Sequence, residues 1–177
     1  MPFRELVADA EVFWERASEA SETRVETLEY RHATASVLFS FIAVESFIND
    51  MMADFASLPK GTFTILEQGF LQERGLQFSS SGKNAGTFEL TNKPEYRRLE
   101  DKVLFLLGRV AGVTSVDKGS VLWQRFDKLQ DLRNALTHPR KEKPVVISAK
   151  DAAEALEVAK AIIKHVADKV WQKPAHF

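Results

Sequence analysis

Apolar residues recur at intervals of three and four along most of the chain, and this spacing predicts amphipathic helices. Thr23 and Glu26 have the spacing of a capping box and predict a break near residues 21–23, although one bent helix would fit the same pattern. Asn92 and Pro94 predict the start of a later helix. The pattern therefore predicts an all-α protein, an up-and-down bundle of about five main helices over residues 2–20, 24–57, 94–111, 118–137 and 149–172.

Residues 58–93 depart from this helical pattern. Five of the eight glycines lie between residues 61 and 86, and the run 79–86 is rich in serine, asparagine and glycine, as turns are. Four phenylalanines argue against a plain linker: Phe63, Phe70, Phe78 and Phe88. We expect an insertion between the second and third main helices, with a short helix near 62–73 and two short strands.

The composition fits one globular domain over residues 1–177. A chain of this length, with 45% hydrophobic residues, buries about 70% of its unfolded surface. Cysteine is absent, which excludes disulfides, thiolate nucleophiles and zinc–thiolate sites. Acidic residues interrupt the first ten positions and no run approaches about 18 uncharged apolar residues, so we expect a soluble, cytoplasmic protein.

The formal net charge of −1 argues against a broad nucleic-acid-binding surface. The charge is nevertheless uneven along the chain. Residues 1–29 contain eight acids and three bases, whereas residues 118–177 contain twelve Lys and Arg against seven Asp and Glu. We therefore expect the C-terminal third to meet any anionic ligand.

Two charged residues interrupt apolar seams of the predicted helices. Glu45 is the only polar member of the seam Leu38, Phe41, Glu45, Ile48, Met52 and Phe55. Arg133 is the only polar member of the seam Leu122, Phe126, Leu129, Arg133 and Leu136. No acid lies three or four positions from Arg133, so its partner must come from another helix, another subunit or a ligand. One interpretation is a structural Glu45–Arg133 ion pair that fixes helix register, and the other is a functional site.

The residues that follow Arg133 help to decide between a structural ion pair and a functional site. Pro139 cannot continue the helix, so we expect His138 where the backbone turns out of the bundle. A lone histidine at a helix C-terminus usually acts as a cap. Here the histidine lies near Asn134 and a run of bases, which favours a functional site. The bases are Arg140, Lys141 and Lys143.

The stretch Arg133-Asn134-Ala135-Leu136-Thr137-His138 resembles the Arg-x4-6-His motif of the HEPN superfamily (higher eukaryotes and prokaryotes nucleotide-binding). That family is a bundle of four or five helices, with its motif at the end of a late helix and an acidic or polar residue of the second helix facing it. Glu45 matches the second-helix position. Asn134 after the arginine resembles members that are metal-independent endoribonucleases. Arg140 stands where members modified by an adenylyltransferase carry a tyrosine.

The resemblance implies a ribonuclease in which Arg133, His138 and Asn134 are catalytic and Glu45 orients the arginine. Such an enzyme needs no metal and no cofactor, because the RNA 2′-hydroxyl is the nucleophile. Imidazole, with an ordinary pKa of about 6.5, can move protons, and a guanidinium can bind two phosphate oxygens. Arg140, Lys141 and Lys143 would add phosphate or RNA contacts.

The resemblance also implies a homodimer that brings two motifs to one cleft. Roles in toxin–antitoxin or defence systems, with an antitoxin or other protein partner, fit this class. The alternative is a non-catalytic HEPN-like dimeric scaffold that binds a nucleotide or a protein. Other enzyme classes have less support, because the four histidines show no metal-ligand spacing and no phosphate-binding glycine loop is present.

Overall fold

The computed structural model describes residues 2–139 and 145–171 of the chain. Within these ranges lie six α-helices and one two-stranded antiparallel sheet. The helices are α1 (Phe3–Glu22), α2 (Glu26–Ala56), α3 (Ile65–Leu71), α4 (Leu99–Phe105), α5 (Val121–Thr137) and α6 (Ala149–Trp171), and the strands are β1 (Arg74–Ser79) and β2 (Thr87–Pro94). Helix accounts for 67% of the residues and strand for 8%, which confirms the predicted all-α class in outline and adds a small sheet.

A three-residue turn joins α1 to α2 at the predicted break. Arg24 adopts the left-handed conformation, with φ of +58°. The hydroxyl of Thr23 donates to the carbonyl of Glu19 at 2.9 Å, so it closes α1 and does not cap α2. Val25 is the N-cap of α2 and contributes no side-chain hydrogen bond. The predicted position of the break is confirmed, whereas the predicted Thr23–Glu26 capping box is wrong.

α2 is the central helix, and α1, α4, α5 and α6 all pack against it. Its buried side chains include Val37, Val44 and Ile48. Ser36 is also buried, and its hydroxyl donates to the carbonyl of Ala10 in α1 at 2.8 Å. By length and composition alone α2 could cross a membrane, but 56% of its apolar window is buried inside the protein, and one such helix is weak evidence for a membrane span.

Residues 58–93 form the predicted short helix and two strands. Thr64 and Glu67 build a capping box that starts α3. β1 and β2 pair as a hairpin in which Phe78 stands opposite Phe88, with ring centroids 5.4 Å apart. The base of the hairpin packs on α3 at Gly69, where an added Cβ would lie 3.0 Å from a strand carbonyl.

The third main helix begins later than predicted. β2 extends to Pro94, and α4 starts at Leu99 after an extended Arg98. Asn92 does not cap a helix, because its side-chain oxygen accepts a hydrogen bond from Arg74 across the hairpin at 2.9 Å. α4 then continues into one π-helical turn, Leu106–Val110.

A partly buried ion pair joins the hairpin to the bundle. The carboxylate of Glu73, between α3 and β1, accepts from Lys102 Nζ at 2.8 Å and from the Arg97 backbone N–H at 2.9 Å. Lys102 also donates to Asn49 Oδ1 of α2 at 2.9 Å. Burial alone would raise the pKa of Glu73, but the Arg97 N–H and the Lys102 ammonium outweigh it and hold that pKa below its ordinary value of 4.5.

The last two helices start at serine caps. Ser120 Oγ accepts from the Trp123 N–H at the start of α5, three residues later than predicted. Ser148 and Asp151 form the predicted reciprocal cap at the start of α6. α6 packs against α1, α2 and α5 and thereby closes the core.

Candidate functional site

Arg133 lies in an open groove between α2, the start of α4 and the C-terminal half of α5. We call this the Arg133 groove, and its volume is about 760 Å³. Glu45 and Phe41 of α2 form one wall, and Asn134 lies beside Arg133 on α5. The other lining residues are Arg97, Arg98, Leu99, Glu100, Asp127, Gln130 and Asp131. The structure therefore brings three of the predicted site residues, Glu45, Arg133 and Asn134, to one groove.

The guanidinium of Arg133 is held by an aromatic ring and an amide. Its central carbon lies 4.9 Å from the centroid of the Phe41 ring, a cation–π geometry. Its Nη1 donates to Asn134 Oδ1 at 3.2 Å. The side chain is half-buried at its seam position. These two contacts fix the guanidinium and leave several of its five N–H donors available to a ligand.

Arg133 and Glu45 share the groove without forming the ion pair that one interpretation of the sequence predicted. Among residues 2–139 and 145–171, no carboxylate oxygen lies within 4.0 Å of an Arg133 nitrogen. The physical reason is that neither side chain is fully buried, so neither requires a direct counter-ion. The structural ion-pair interpretation is therefore wrong for the described residues.

Three of the four carboxylates in the groove influence one another. Burial raises the pKa of Asp127, and the negative charges of Glu100 and Asp131 raise it further. Lys118 partly offsets this effect and forms an ion pair with Glu100 at 2.6 Å. A phosphate in the groove would therefore be attracted by Arg133 and repelled by these three carboxylates.

His138 occupies the predicted position at the end of α5. It is exposed and non-helical, with φ of −129° and ψ of 63°, and its N–H donates to the Asn134 carbonyl at 2.9 Å. The helix ends before Pro139, as the sequence predicted. His138 is not among the described residues that line the Arg133 groove. The remaining predicted residues, Arg140, Lys141 and Lys143, lie outside the described ranges.

Sequence reasoning named Glu45, Arg133 and Asn134 but missed the other polar residues that line the groove. Asp127, Gln130, Asp131 and Asn134 follow one another at spacings of three, one and three, so they lie along one side of α5. The spacing of these residues in the sequence could have identified a polar face beside Arg133. The contribution of the Arg97–Arg98 pair was hidden, because it depends on where α4 begins.

Neither the comparisons with known proteins nor the clusters of metal-binding side chains assign a function to this chain. No protein-family model, curated protein or solved structure matches this chain. Within the described ranges, no group of three His, Cys, Asp or Glu side chains could hold a metal ion. The candidate site therefore depends on the chemistry of its own residues.

Proposed function

We propose that this protein is a metal-independent endoribonuclease in which Arg133 binds the scissile phosphate and His138 transfers protons. One observation carries the proposal. Four carboxylates line the Arg133 groove, yet no described carboxylate forms an ion pair with Arg133. A half-buried guanidinium fixed by Phe41 and Asn134 is suited to a phosphate, whose oxygens accept its paired N–H groups.

The reaction requires two proton transfers and one anion-stabilising group. The 2′-oxygen of RNA forms a bond to phosphorus while the bond from phosphorus to the 5′-oxygen breaks, leaving a 2′,3′-cyclic phosphate. One group accepts the 2′-hydroxyl proton, another protonates the 5′-oxygen, and Arg133 stabilises the charged phosphorane. Since one His138 cannot hold both roles at once, a homodimer with two His138 side chains at one cleft completes the proposed site.

The other predicted features belong to the same proposal. Helices α1, α2, α4, α5 and α6 would form the up-and-down bundle of a HEPN-like domain, with residues 58–93 as an insertion. Glu45 would orient the guanidinium through water or the substrate, and Arg140, Lys141 and Lys143 would contact RNA. A cytoplasmic toxin or defence role, with an antitoxin or other protein partner, is consistent with this activity.

A second candidate is a non-catalytic dimeric scaffold that binds a nucleotide or a protein. Two observations favour it. The groove contributes four carboxylates against three guanidinium groups, and His138 is absent from its described lining. A groove of this charge suits a partner that presents basic as well as acidic groups.

RNA cleavage in EDTA separates the two candidates. The purified protein is incubated with structured and unstructured RNAs, and the products are tested for 2′,3′-cyclic phosphate ends. We expect His138→Ala to lower the rate by about 10²–10⁴-fold and Arg133→Lys to lower it substantially, since lysine lacks the planar fork. Arg125→Lys is the matched control, because Arg125 lies on the same helix and pairs with Glu157 at 2.7 Å.

The ribonuclease proposal fails if no RNA is cleaved, or if His138→Ala cleaves as fast as wild type with its fold intact. RNA or nucleotide binding without cleavage would support the scaffold instead. The proposed dimer is tested by sedimentation. It is also tested by mixing Arg133→Ala with His138→Ala, which restores partial activity only if two chains share a cleft.

A further inference from the structure

A second pocket lies at the other end of α5, remote from Arg133. It has a volume of about 290 Å³ and lies between the π-helical turn after α4, the loop 111–120, the start of α5 and α6. Ten residues of α5 separate Trp123 in this pocket from Arg133, which corresponds to about 15 Å along the helix. We call it the Trp123 pocket.

The walls of the Trp123 pocket are mainly apolar. Val103, Leu107 and Ile162 are buried in the core, and Val116 contributes from the loop. The π-helical turn shapes this wall: the Ala111 N–H donates to the carbonyl of Leu106, five residues earlier, at 2.9 Å. Such turns occur frequently at functional sites.

Two basic side chains of α6 line one side of the pocket. His165 and Lys169 stand four residues apart, on one face of the helix. Burial lowers the pKa of His165, the neighbouring Lys169 lowers it further, and Asp168 partly offsets both, so the neutral imidazole, which can donate one hydrogen bond, is favoured. No carboxylate of the described ranges forms an ion pair with Lys169.

The acidic member of the pocket already has a partner. Asp117 Oδ1 accepts from the Gly119 N–H of its own loop at 2.8 Å. A ligand cation at the Trp123 ring would meet competition, because Lys118 Nζ already lies 5.7 Å from the ring centroid. The pocket therefore has a negative charge on its loop, at Asp117, and a positive charge on α6, at Lys169, and a ligand carboxylate would bind at the α6 side.

The indole of Trp123 forms part of the pocket wall. Trp123 is 4% exposed, and its Nε1–H has no acceptor among the described residues. Because the Trp123 ring lines the pocket, its indole resonance is sensitive to a molecule bound there.

We propose that the Trp123 pocket binds a small apolar carboxylate. Its volume of about 290 Å³ is near the lower end of the range for small-molecule pockets, about 300–1,000 Å³, so it suits a small ligand. The apolar part of the ligand packs against Val103, Leu107 and Ile162, and its carboxylate accepts hydrogen bonds from Lys169 and His165. This site is separate from the Arg133 groove and does not depend on ribonuclease activity.

Three probes that differ in one functional group test the assignment. Phenylacetate, phenylacetamide and 2-phenylethylamine have similar size and carry a negative, a neutral and a positive end group. Each is titrated into the ¹⁵N-labelled full chain, and the Trp123 indole resonance is followed after assignment with Trp14→Phe and Trp171→Phe variants. We expect a saturable shift with phenylacetate and affinities at least about tenfold weaker for the other two, since hydrogen bonds to charged groups are the stronger ones.

Variants distinguish the pocket from the rest of the surface. Lys169→Met should reduce the affinity for phenylacetate to that for phenylacetamide, and Val116→Phe should abolish binding of both by filling the space. Lys150→Met is the matched control, because Lys150 is an exposed lysine in the first turns of the same helix. Unchanged dispersion of the indole resonances verifies that each variant is folded.

Three results would overturn the proposal. The first is no saturable shift with phenylacetate at millimolar concentration. The second is tighter or equal binding of 2-phenylethylamine, which would contradict recognition of a carboxylate by Lys169. The third is wild-type affinity for phenylacetate in folded Val116→Phe, which would place the binding elsewhere.

Discussion

Replacing Glu73 with glutamine removes the negative charge of the partly buried pair that joins the hairpin to the bundle. Lys102 would then lie with its side chain 7% exposed and only neutral acceptors around it. Removing one partner of a fully buried pair costs about 3–5 kcal/mol. Because the Glu73 side chain is 28% exposed, we expect a smaller loss, about 2–3 kcal/mol.

The loss is measured by thermal unfolding. For a chain of this length a change of 1 kcal/mol shifts the melting temperature by about 2–4 °C, so we expect Glu73→Gln to melt about 4–12 °C below wild type. Lys164→Met is the control, because Lys164 is 75% exposed and its pair with Asp168 is an ordinary i,i+4 surface pair. Its effect should stay within about 0.5 kcal/mol.

The double variant Glu73→Gln/Lys102→Met should be much less destabilised than the sum of its single variants. In it neither charge remains buried without a counter-ion. The pH dependence has a definite sign. Since the folded-state pKa of Glu73 is lowered, its contribution is present above the ordinary carboxyl pKa of 4.5 and is lost as the pH falls through the folded-state value. Additive single variants, or a Glu73→Gln effect no larger than that of Lys164→Met, would refute the reasoning.

Three further predictions concern the cap, the hairpin and the groove. Ser120→Ala removes the side-chain cap of α5 and should cost about 1 kcal/mol in urea unfolding. Gly69→Ala places a Cβ 3.0 Å from the Arg74 carbonyl, so it should destabilise the hairpin and speed amide exchange in β1 and β2, whereas a normal exchange pattern would contradict the close packing. Asp131→Asn removes a carboxylate from the Arg133 groove and should tighten binding of a short RNA in fluorescence anisotropy; weaker binding would argue against an anionic ligand.

The positions of the long helices were predictable because each has a continuous apolar face. The cap of α6 was also predictable, since its reciprocal hydrogen bonds join only Ser148 and Asp151, three positions apart in the chain. Thr23 had equally good spacing, but a left-handed turn at Arg24 turned its hydroxyl toward α1. Spacing therefore identifies a capping pair only where the backbone before the helix is extended.

The start of α4 was not predictable from local signals. Asn92 and Pro94 are common residues at helix starts. Both belong to β2, where the guanidinium of Arg74 donates a hydrogen bond to the Asn92 side chain across the hairpin. That hydrogen bond joins positions 18 residues apart in the chain. A long-range contact thus outweighed a correct local preference.

The sequence allowed several residues of the candidate site to be predicted, but not the contacts that they make. The sequence identified Arg133 and Glu45 as charges on apolar seams, and both lie half-buried in one groove. It predicted a direct ion pair as one possibility, whereas Arg133 contacts the Phe41 ring and Asn134. Phe41 was named as a seam residue, but its role under the guanidinium depends on side-chain geometry that spacing does not fix.

The packing of α6 across α1 and α2 has a consequence for synthesis on the ribosome. α2 ends at Ala56 and α6 ends at Trp171, so 115 residues must be translated between them. Translation proceeds at about 5–20 residues per second, so the apolar face of α2 that α6 covers stays exposed for about 6–23 s until α6 has been synthesised. During this interval the nascent α1–α2 hairpin exposes the surface on which chaperones act, and slower translation after α2 should increase aggregation of the unfinished chain.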